Sequence, residues 1–291
     1  MIQNTATPNR TSTGYALTEG KKMLEVFSYG FMQKAFITGI VIAIACSLLG
    51  VFLVLRRYAL IGDGLAHISF GGVAAGMLFN FMPFASALLF AILGSLGILK
   101  LREKTLMHSD TAIAIISYTS LGAGIFIATA AGGFNVELMS YLFGSILAIQ
   151  TSEEVLSVAL ALIVIAVIAL FYNELFFLTF DEESAKTSGI NTGLLNSLLV
   201  VLTAITVVSA MRVTGLLLAS ALIVLPAASA LQYRASFRKT LILSAAISVF
   251  SVTTGLLAAY YYDYAVSGSI ILINALLFLV SLLLSSLKRK T

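Results

Sequence analysis

Charged side chains are scarce in this sequence. Of its 291 residues only 10% are charged, whereas 59% are hydrophobic, and the mean hydropathy is +1.03. A soluble globular domain carries about 25% charged residues, so this composition predicts an integral membrane protein instead. The apolar runs have the length of helices and lack the alternation of short strands, which excludes an outer-membrane barrel. We therefore predict an all-α, polytopic transmembrane helical bundle.

Cysteine is nearly absent as well. Cys46 is the only cysteine, which excludes a disulfide framework and a cysteine metal motif, and we expect it to be a small core residue. The motifs of soluble enzymes are also missing, because there is no Walker A loop, G-x-G-x-x-G, G-x-S-x-G or H-E-x-x-H. We therefore predict no catalytic residue and expect the energy for any active process to come from elsewhere.

Nine apolar runs are long enough, or nearly so, to cross a bilayer. They cover roughly residues 29–55, 58–82, 84–101, 110–131, 153–177, 194–211, 213–232, 240–262 and 269–287. Nine spans place all the basic loop clusters on one side, which the positive-inside rule assigns to the cytoplasm. The same count places Lys21, Lys22 and Lys34 outside, so eight or ten spans stay open. The net charge of +4 comes from these loops and is no evidence for nucleic acid.

Two stretches do not fit the pattern of spans. Residues 1–22 are polar and lack the apolar segment of a secretory signal. We predict that they form a disordered tail, or that translation starts at Met23, before a transmembrane permease domain of residues 23–291. Within residues 131–153 the apolar core Leu138–Ile149 is too short to span, which predicts a re-entrant or interfacial helix.

The segment RRYALIGDGLAHISFGGVAAG carries a carboxylate and an imidazole inside an apolar run. Asp63 and His67 are four residues apart and would share one helix face, continued by Phe70 and Gly71. At this depth a carboxylate costs at least about 2.5 kcal/mol unless it is paired, hydrated or metal-bound. A carboxylate oxygen and an imidazole nitrogen are half of a first-row divalent metal site. The structural alternative is an Asp–His hydrogen bond that only joins two helices.

Two other segments are candidates for function. FDEESAKTSGIN, residues 180–191, has the acidic start and closing glycine of a short amphipathic helix, with a solvated loop as the alternative. The small-residue span MRVTGLLLASALIVLPAASA contains Pro226, which frees a backbone carbonyl and can serve as a hinge or gate, or as a static kink. The other histidine, His108, lies in a basic loop, where we expect it to be solvated.

The segment around Asp63 resembles the signature of the membrane subunits of ABC importers for zinc and manganese, which contains RR, G-D-x-L-(S/A)-H and G-(V/I)-A in this order. VTGLLLASALIVLPAASA resembles the second family block, V-G-x-L-L-x-x-A-L-(L/I)-x-x-P-A-A-x-A. LFGSIL and FDEESAKTSGIN are similar to further family segments. The resemblance extends from about Met23 to the end of the chain.

This resemblance implies a type II ABC-importer-like permease of about eight to ten spans in the bacterial cytoplasmic membrane. It implies a second copy of the permease, two cytoplasmic ATP-binding subunits, an extracytoplasmic metal-binding protein and surrounding lipid. The family's Asp and His map onto Asp63 and His67, so that a dimer offers four ligands to a transported metal ion, with no permanently bound cofactor. Phe70, Gly71 and Pro226 are expected to line or gate the pathway. The family's ATPase-coupling helix maps onto Phe180, Asp181, Glu182, Glu183, Ser184, Ala185, Lys186 and Gly189.

The residues after His67 bear on the identity of the cargo. HISFGG is nearer to the zinc-type H-x-S-L-x-G than to the manganese-type H-x-x-L-P-G, so we expect zinc, with manganese or iron as alternatives. A metal binds neutral imidazole, so uptake should fall as His67 is protonated at mildly acidic pH. Two other classes stay open: an ion-coupled secondary transporter protonated at Asp63, and an intramembrane enzyme that uses Asp63 and His67 as an acid–base pair.

Overall fold

The computed structural model describes residues 29–104, 109–130, 132–133, 136–144, 151–216 and 219–288. Within these residues the chain forms twelve helices and no strand, which confirms the all-α prediction. The helices are α1 (Gly30–Leu55), α2 (Ile61–Leu78), α3 (Pro83–Lys104), α4 (Ser109–Ala130), α5 (Val136–Phe143), α6 (Thr151–Leu170), α7 (Tyr172–Phe180), α8 (Glu182–Thr187), α9 (Thr192–Thr214), α10 (Ala219–Leu231), α11 (Phe237–Tyr262) and α12 (Val266–Lys288). The predicted tail and His108 lie outside the described residues.

Seven of the described helices are long and apolar enough to cross a membrane, namely α1, α3, α4, α6, α9, α11 and α12. Helix α10 has only 13 residues, and α2, with 18 residues, is the helix that carries Asp63 and His67. Fourteen of the 18 residues of α2 are buried, and Asp63 and His67 are among the four that are not. The described part of the chain therefore has seven candidate spans by length and composition, and the predicted count of eight to ten is not confirmed.

Helices α1 and α9 form the centre of the bundle. In their most apolar windows 67% and 72% of the residues are buried, against 17% for α12. Helix α1 packs against α6, α9, α10 and α11, while α2 packs mainly against α3 and α4. The hydrophobic effect does not drive helices together inside a bilayer, because lipid is as apolar as their side chains. Contacts between the helices therefore depend on close packing between small residues. A Cβ at Gly124 of α4, for example, would lie 2.9 Å from the Cα of Gly71 in α2.

Two predicted boundaries differ from the structure. The apolar sequence predicts separate spans at 194–211 and 213–232, but α9 continues to Thr214 and α10 begins only at Ala219. Gly215 follows α9 with a φ of 78°, a left-handed conformation that ends the helix and that glycine adopts without a steric penalty. The span predicted at 153–177 is divided between α6 and α7 at Phe171.

The short helix α5 occupies part of the stretch predicted not to span. Residues 145–150 of that stretch lie outside the described residues. The backbone amide of Leu216 donates to the carbonyl of Tyr141 at 3.0 Å, and the hydroxyl of Ser267 donates to the carbonyl of Phe143 at 3.2 Å. Helix α5 therefore packs into the break between α9 and α10, where its buried side chains Leu138 and Tyr141 face protein.

Polar contacts mark the two ends of the bundle. At one end, which we call the basic end, the guanidinium groups of Arg56 and Arg102 both lie over the ring of Tyr58. At the opposite end Lys34 forms an ion pair with Glu154 at 3.4 Å. Lys34 is near the start of the 26-residue helix α1 and Arg56 follows its last residue, so the two ends are about 35 Å apart at 1.5 Å per residue.

Candidate functional site

Asp63 and His67 lie one turn apart on α2, as their spacing predicts. The distance from His67 Nε2 to Asp63 Oδ2 is 3.6 Å, which exceeds the usual N–H···O range of about 2.7–3.2 Å. The hydrogen bond required by the structural alternative is therefore not formed. The Asp63 side chain is 52% exposed and the His67 side chain 17% exposed, so the carboxylate reaches an open face of the chain and the imidazole lies at its edge.

The second ring nitrogen of His67 is in an unusual environment. His67 Nδ1 is buried and has no hydrogen-bond partner within the described chain. A metal-bound imidazole ordinarily donates its other N–H group to a carboxylate, carbonyl or water, and the described residues offer no such partner to this atom. The ring of Tyr118, on α4, lies 6.4 Å from the imidazole ring and is 67% exposed. Helix α4 therefore borders the same open face.

The described residues supply too few His, Cys, Asp and Glu side chains at this position for a complete metal site. Across the described ranges no group of three or more His, Cys, Asp or Glu side chains could hold a metal ion. Asp63 and His67 offer one oxygen and one nitrogen ligand, whereas a tetrahedral zinc site takes four ligands. Within the described residues this position therefore supplies two of the four ligands through such side chains.

Phe70 and Gly71, predicted to line the pathway, are enclosed between α2 and α4. Phe70 is 2% exposed, and an added Cβ at Gly124 would lie 2.8 Å from its Cδ1. Gly71 is equally close to α4, because an added Cβ would lie 3.0 Å from the carbonyl oxygen of Ser120. In the single chain neither residue shares the open face of Asp63, and their pathway role stays a prediction.

Pro226 lies buried inside α10, on a helix that touches the site helix. An added Cβ at Gly62 would lie 3.4 Å from Ser220 Cβ and 3.5 Å from Ile223 Cδ1, both on α10. Because Gly62 immediately precedes Asp63, a displacement of α10 would act on the carboxylate's own turn. The role of Pro226 as a hinge or gate stays a prediction.

The segment predicted to be a coupling helix folds as α8. Asp181 is its N-cap residue, and its Oδ1 accepts a hydrogen bond from the backbone amide of Ser184 at 2.9 Å. Gly189, with a φ of 83°, follows the helix, as the closing glycine predicts. Ala185 is buried, whereas Glu183 and Lys186 are exposed. The predicted short helix is therefore present, with polar side chains directed to solvent.

Phe180 belongs to the preceding helix, α7, rather than to α8. Its ring centre lies 4.8 Å from that of Phe176 and 5.6 Å from that of Phe237 on α11. Phe237 also packs edge-on against Phe52 of α1 at 5.2 Å. This aromatic cluster connects the segment before α8 to the basic end of the bundle.

The N-cap of α8 should weaken in acid. Hydrogen bonds from the hydroxyl and the amide of Ser184 lower the pKa of the Asp181 carboxyl. A carboxyl whose pKa is lowered by folding contributes stability above its unfolded pKa of about 3.9, and this contribution is lost as the pH falls through the folded value. We therefore expect backbone amides of α8 to exchange a few-fold faster in strong acid, after correction for intrinsic rates. Hydrogen exchange read by mass spectrometry should show the change in wild type and not in Asp181→Asn, which retains an acceptor without the charge.

A second polar cluster lies at the basic end and joins Glu182, which was predicted to belong to the coupling helix, to Arg56 and Asn196, for which no function was predicted. Arg56 donates from Nη2 to Glu182 Oε2 at 2.8 Å and from Nη1 to Asn196 Oδ1 at 2.6 Å, while Asn196 Nδ2 donates to Glu182 Oε1 at 2.8 Å. The Arg56 side chain is only 6% exposed. Burial lowers the pKa of this guanidinium, and the charge of Glu182 opposes the shift. In the sequence Arg56 is one of the basic loop residues that orient the chain, and it also opens the motif that leads to Asp63.

The model of one protein family, described as the ABC 3 transport family, matches residues 28–285. The chain belongs to this family. The resemblance predicted from the two sequence blocks is therefore confirmed, and the chain is a multi-pass membrane permease. The match includes α2 with its Asp63–His67 pair and α8.

Among the proteins that are similar to this chain, some are named for manganese and others for zinc. The manganese import system permease protein ScaB of Streptococcus gordonii is 33% identical over 90% of this chain and 94% of its own length. The high-affinity zinc uptake system membrane protein ZnuB of Haemophilus influenzae is 30% identical over 87% of this chain and 97% of its own length. A solved structure, PsaBC from Streptococcus pneumoniae in complex with Fab, superposes with a TM-score of 0.81 at 31% identity, covering 90% of this chain and 95% of that chain.

Proposed function

We propose that the chain is the permease subunit of an ATP-driven importer for a divalent metal ion, and that zinc is its cargo. The observation that supports this most strongly is the Asp63–His67 pair, with a half-exposed carboxylate 3.6 Å from an imidazole on a face that the single chain leaves open. In an apolar bundle such a pair is costly unless a ligand uses it. The chain performs no chemistry of its own in this proposal.

A second copy of the permease would complete the metal site. Two chains related by a two-fold axis supply two carboxylates and two imidazoles, the number of ligands that tetrahedral zinc takes. The open face beside Asp63 continues along α4, where four exposed side chains recur at helical spacing: Ile115, Tyr118, Ile125 and Phe126. We therefore place the transport pathway between two copies of α2 and α4, in a type II importer arrangement of eight to ten spans per chain.

Movement of the two copies would change their affinity for the metal. Ligands contributed by two chains bind an ion together when the helices approach and release it when they separate, so a transporter can load and unload the same site. ATP-binding subunits at the basic end, in contact with α8, would drive this movement. An extracytoplasmic binding protein would deliver the metal at the opposite end.

The preference for zinc rests on the zinc-type residues after His67 and on ligand chemistry, and manganese is the second candidate. One carboxylate and one imidazole per chain form a mixed oxygen and nitrogen site, for which zinc has an intrinsically higher affinity than manganese. Manganese is favoured by a different observation, because ScaB, 33% identical to this chain, is named as a manganese import permease. Affinity does not decide what a cell delivers to the site, so the cargo has to be measured.

Cellular metal content tests the proposal directly. Cells with and without an in-frame deletion of the gene should be grown under zinc or manganese limitation and analysed by elemental mass spectrometry. We expect the deletion strain to lose zinc several-fold under zinc limitation, with restoration by the intact gene. A fall in manganese alone would reassign the cargo. Unchanged zinc and manganese, with no other divalent metal affected, would contradict the importer assignment.

A further inference from the structure

We propose that Arg56 couples α8 to the metal-site helix α2, so that a displacement of α8 is transmitted to Asp63 and His67. This inference rests on the proposed function, in which ATP-binding subunits act on α8. Arg56 touches neither the metal nor the ATPase in this proposal. It is a positioning residue that connects the two sites mechanically.

Arg56, Glu182 and Asn196 form a closed hydrogen-bond network. Glu182 is the first residue of α8, Asn196 lies in the second turn of α9, and Arg56 follows α1. Each of the three side chains is hydrogen-bonded to the other two, at 2.6–2.8 Å. An exposed ion pair between flexible side chains contributes little, but this guanidinium is buried and bonded on two nitrogens, so its position is fixed relative to α8.

A tight turn joins Arg56 to α2. Arg57 adopts a φ of 60°, and its amide donates to Val54 at 3.1 Å. The amide of Tyr58 donates to Leu53 at 2.8 Å, and that of Ile61, the first residue of α2, donates to Tyr58 at 3.0 Å. Arg57, Tyr58 and Ile61 are therefore each held by a backbone hydrogen bond, which leaves little loose chain between Arg56 and α2 to absorb a shift.

Tyr58 lies within that turn and packs against two guanidinium groups. Its side chain is only 5% exposed. The Cζ atoms of Arg56 and Arg102 lie 5.6 and 5.1 Å from the ring centre, within the range of cation–π contact. Arg102 belongs to α3, which packs on α2. The turn is thus clamped to the helix beside the site, and Arg56 joins this rigid unit to α8.

Arg56→Gln in the complete transporter tests the coupling. Permease, ATP-binding subunits and binding protein should be reconstituted in proteoliposomes, and zinc transport and ATP hydrolysis measured on the same sample. The matched control is Arg57→Gln, which removes the same charge from the adjacent exposed position. We expect bound ATPase and ATP hydrolysis in Arg56→Gln to stay within about two-fold of wild type while zinc moved per ATP falls about ten-fold, a typical size for coupling between sites. Arg57→Gln should keep the wild-type ratio.

A second variant, Glu182→Gln, keeps the test decisive if Arg56→Gln fails to insert. It breaks the network from the half-exposed side and should lower the same ratio, by less, because the amide retains one hydrogen bond. Combining the two substitutions should lower the ratio no further than Arg56→Gln does, since both act on one link. Additive losses would indicate separate roles and would overturn the proposal.

Two other results would also overturn it. One is an unchanged amount of zinc per ATP in Arg56→Gln, or an equal fall in Arg57→Gln. The other is a parallel loss of bound ATPase and transport at a constant ratio, because the network would then only hold α8 in place. Failure of the proposed function is distinguishable, since the wild-type complex would then move neither zinc nor manganese.

Discussion

Asp63→Asn should reduce zinc uptake by two orders of magnitude while the protein stays in the membrane. Asparagine keeps the size of the side chain but removes the anionic ligand. Zinc binds to structural sites with about 10–16 kcal/mol shared by about four ligands, so each ligand accounts for about 3 kcal/mol, or about 100-fold in affinity. In the proposed dimer the substitution removes two of the four ligands, so a fall of two orders of magnitude is the smallest that we expect. Uptake should be measured as zinc content under zinc limitation, normalised to the amount of permease in the membrane fraction. His67→Ala should lose uptake to a similar degree.

Asp110→Asn is the matched control for this experiment. Asp110 lies exposed in the first turn of α4, so the same charge is removed outside the pair. We expect this variant to keep at least about half of the wild-type uptake, because exposed surface substitutions usually change little. If Asp63→Asn and His67→Ala both transport zinc normally at wild-type abundance, the metal must pass by another set of ligands.

The pair itself could be predicted from sequence because its geometry is local. A helix places residues four positions apart on one face, and the structure has Asp63 and His67 on adjacent turns of α2. The same holds for α8, where Asp181 as N-cap and Gly189 after the last turn are signals that a helix of this length carries in its own sequence. Local hydrogen bonds determine these features, and little tertiary information is needed.

Contacts between distant segments could not be predicted in this way. Arg56 bonds to Glu182 across 126 positions and to Asn196 across 140, so no spacing rule connects them. Composition showed only that basic residues gather at one end of the bundle. The selection of Arg56 for burial, while Arg57 stays exposed, depends on the turn after α1 and on the place where α8 packs.

Enclosure of Phe70 and Gly71 is a similar case. Helical periodicity places them near the face of Asp63 and His67, but it does not tell which neighbouring helix covers each part of that face. In the structure α4 covers the half of α2 that contains Phe70, because Gly124 lets the two helices meet closely. In the other half of α2 only Asp63 and His67 are not buried. Helical periodicity predicted which residues of α2 share one face, and packing between small residues determined how much of that face is exposed.

Gly50→Ala should be among the most destabilising single substitutions in the chain. A Cβ at Gly50 of α1 would overlap the backbone carbonyl oxygen of Ile223 and lie 3.2 Å from the Cβ of Ala227, on the helix that contains Pro226. A backbone carbonyl cannot change rotamer to make room, so α1 and α10 would have to separate. Overpacking typically costs 1–3 kcal/mol, and we expect about 3 kcal/mol here. Cys46, buried one turn before Gly50, provides the readout, since a thiol-reactive dye will label it only on unfolding.

Gly97→Ala is the control that separates this clash from the general effect of replacing glycine in a helix. Its added Cβ would lie 3.7 Å from Ile116 Cδ1, an ordinary contact. Alanine is favoured over glycine inside a helix by about 0.5–1 kcal/mol, so this variant should melt at or slightly above the wild-type temperature. Gly50→Ala should melt well below it in the same detergent. Equal melting temperatures for the two variants would show that α1 and α10 do not approach each other as closely as the Gly50–Ile223 contact requires, and α10 would then have room to move about Pro226 without displacing α1.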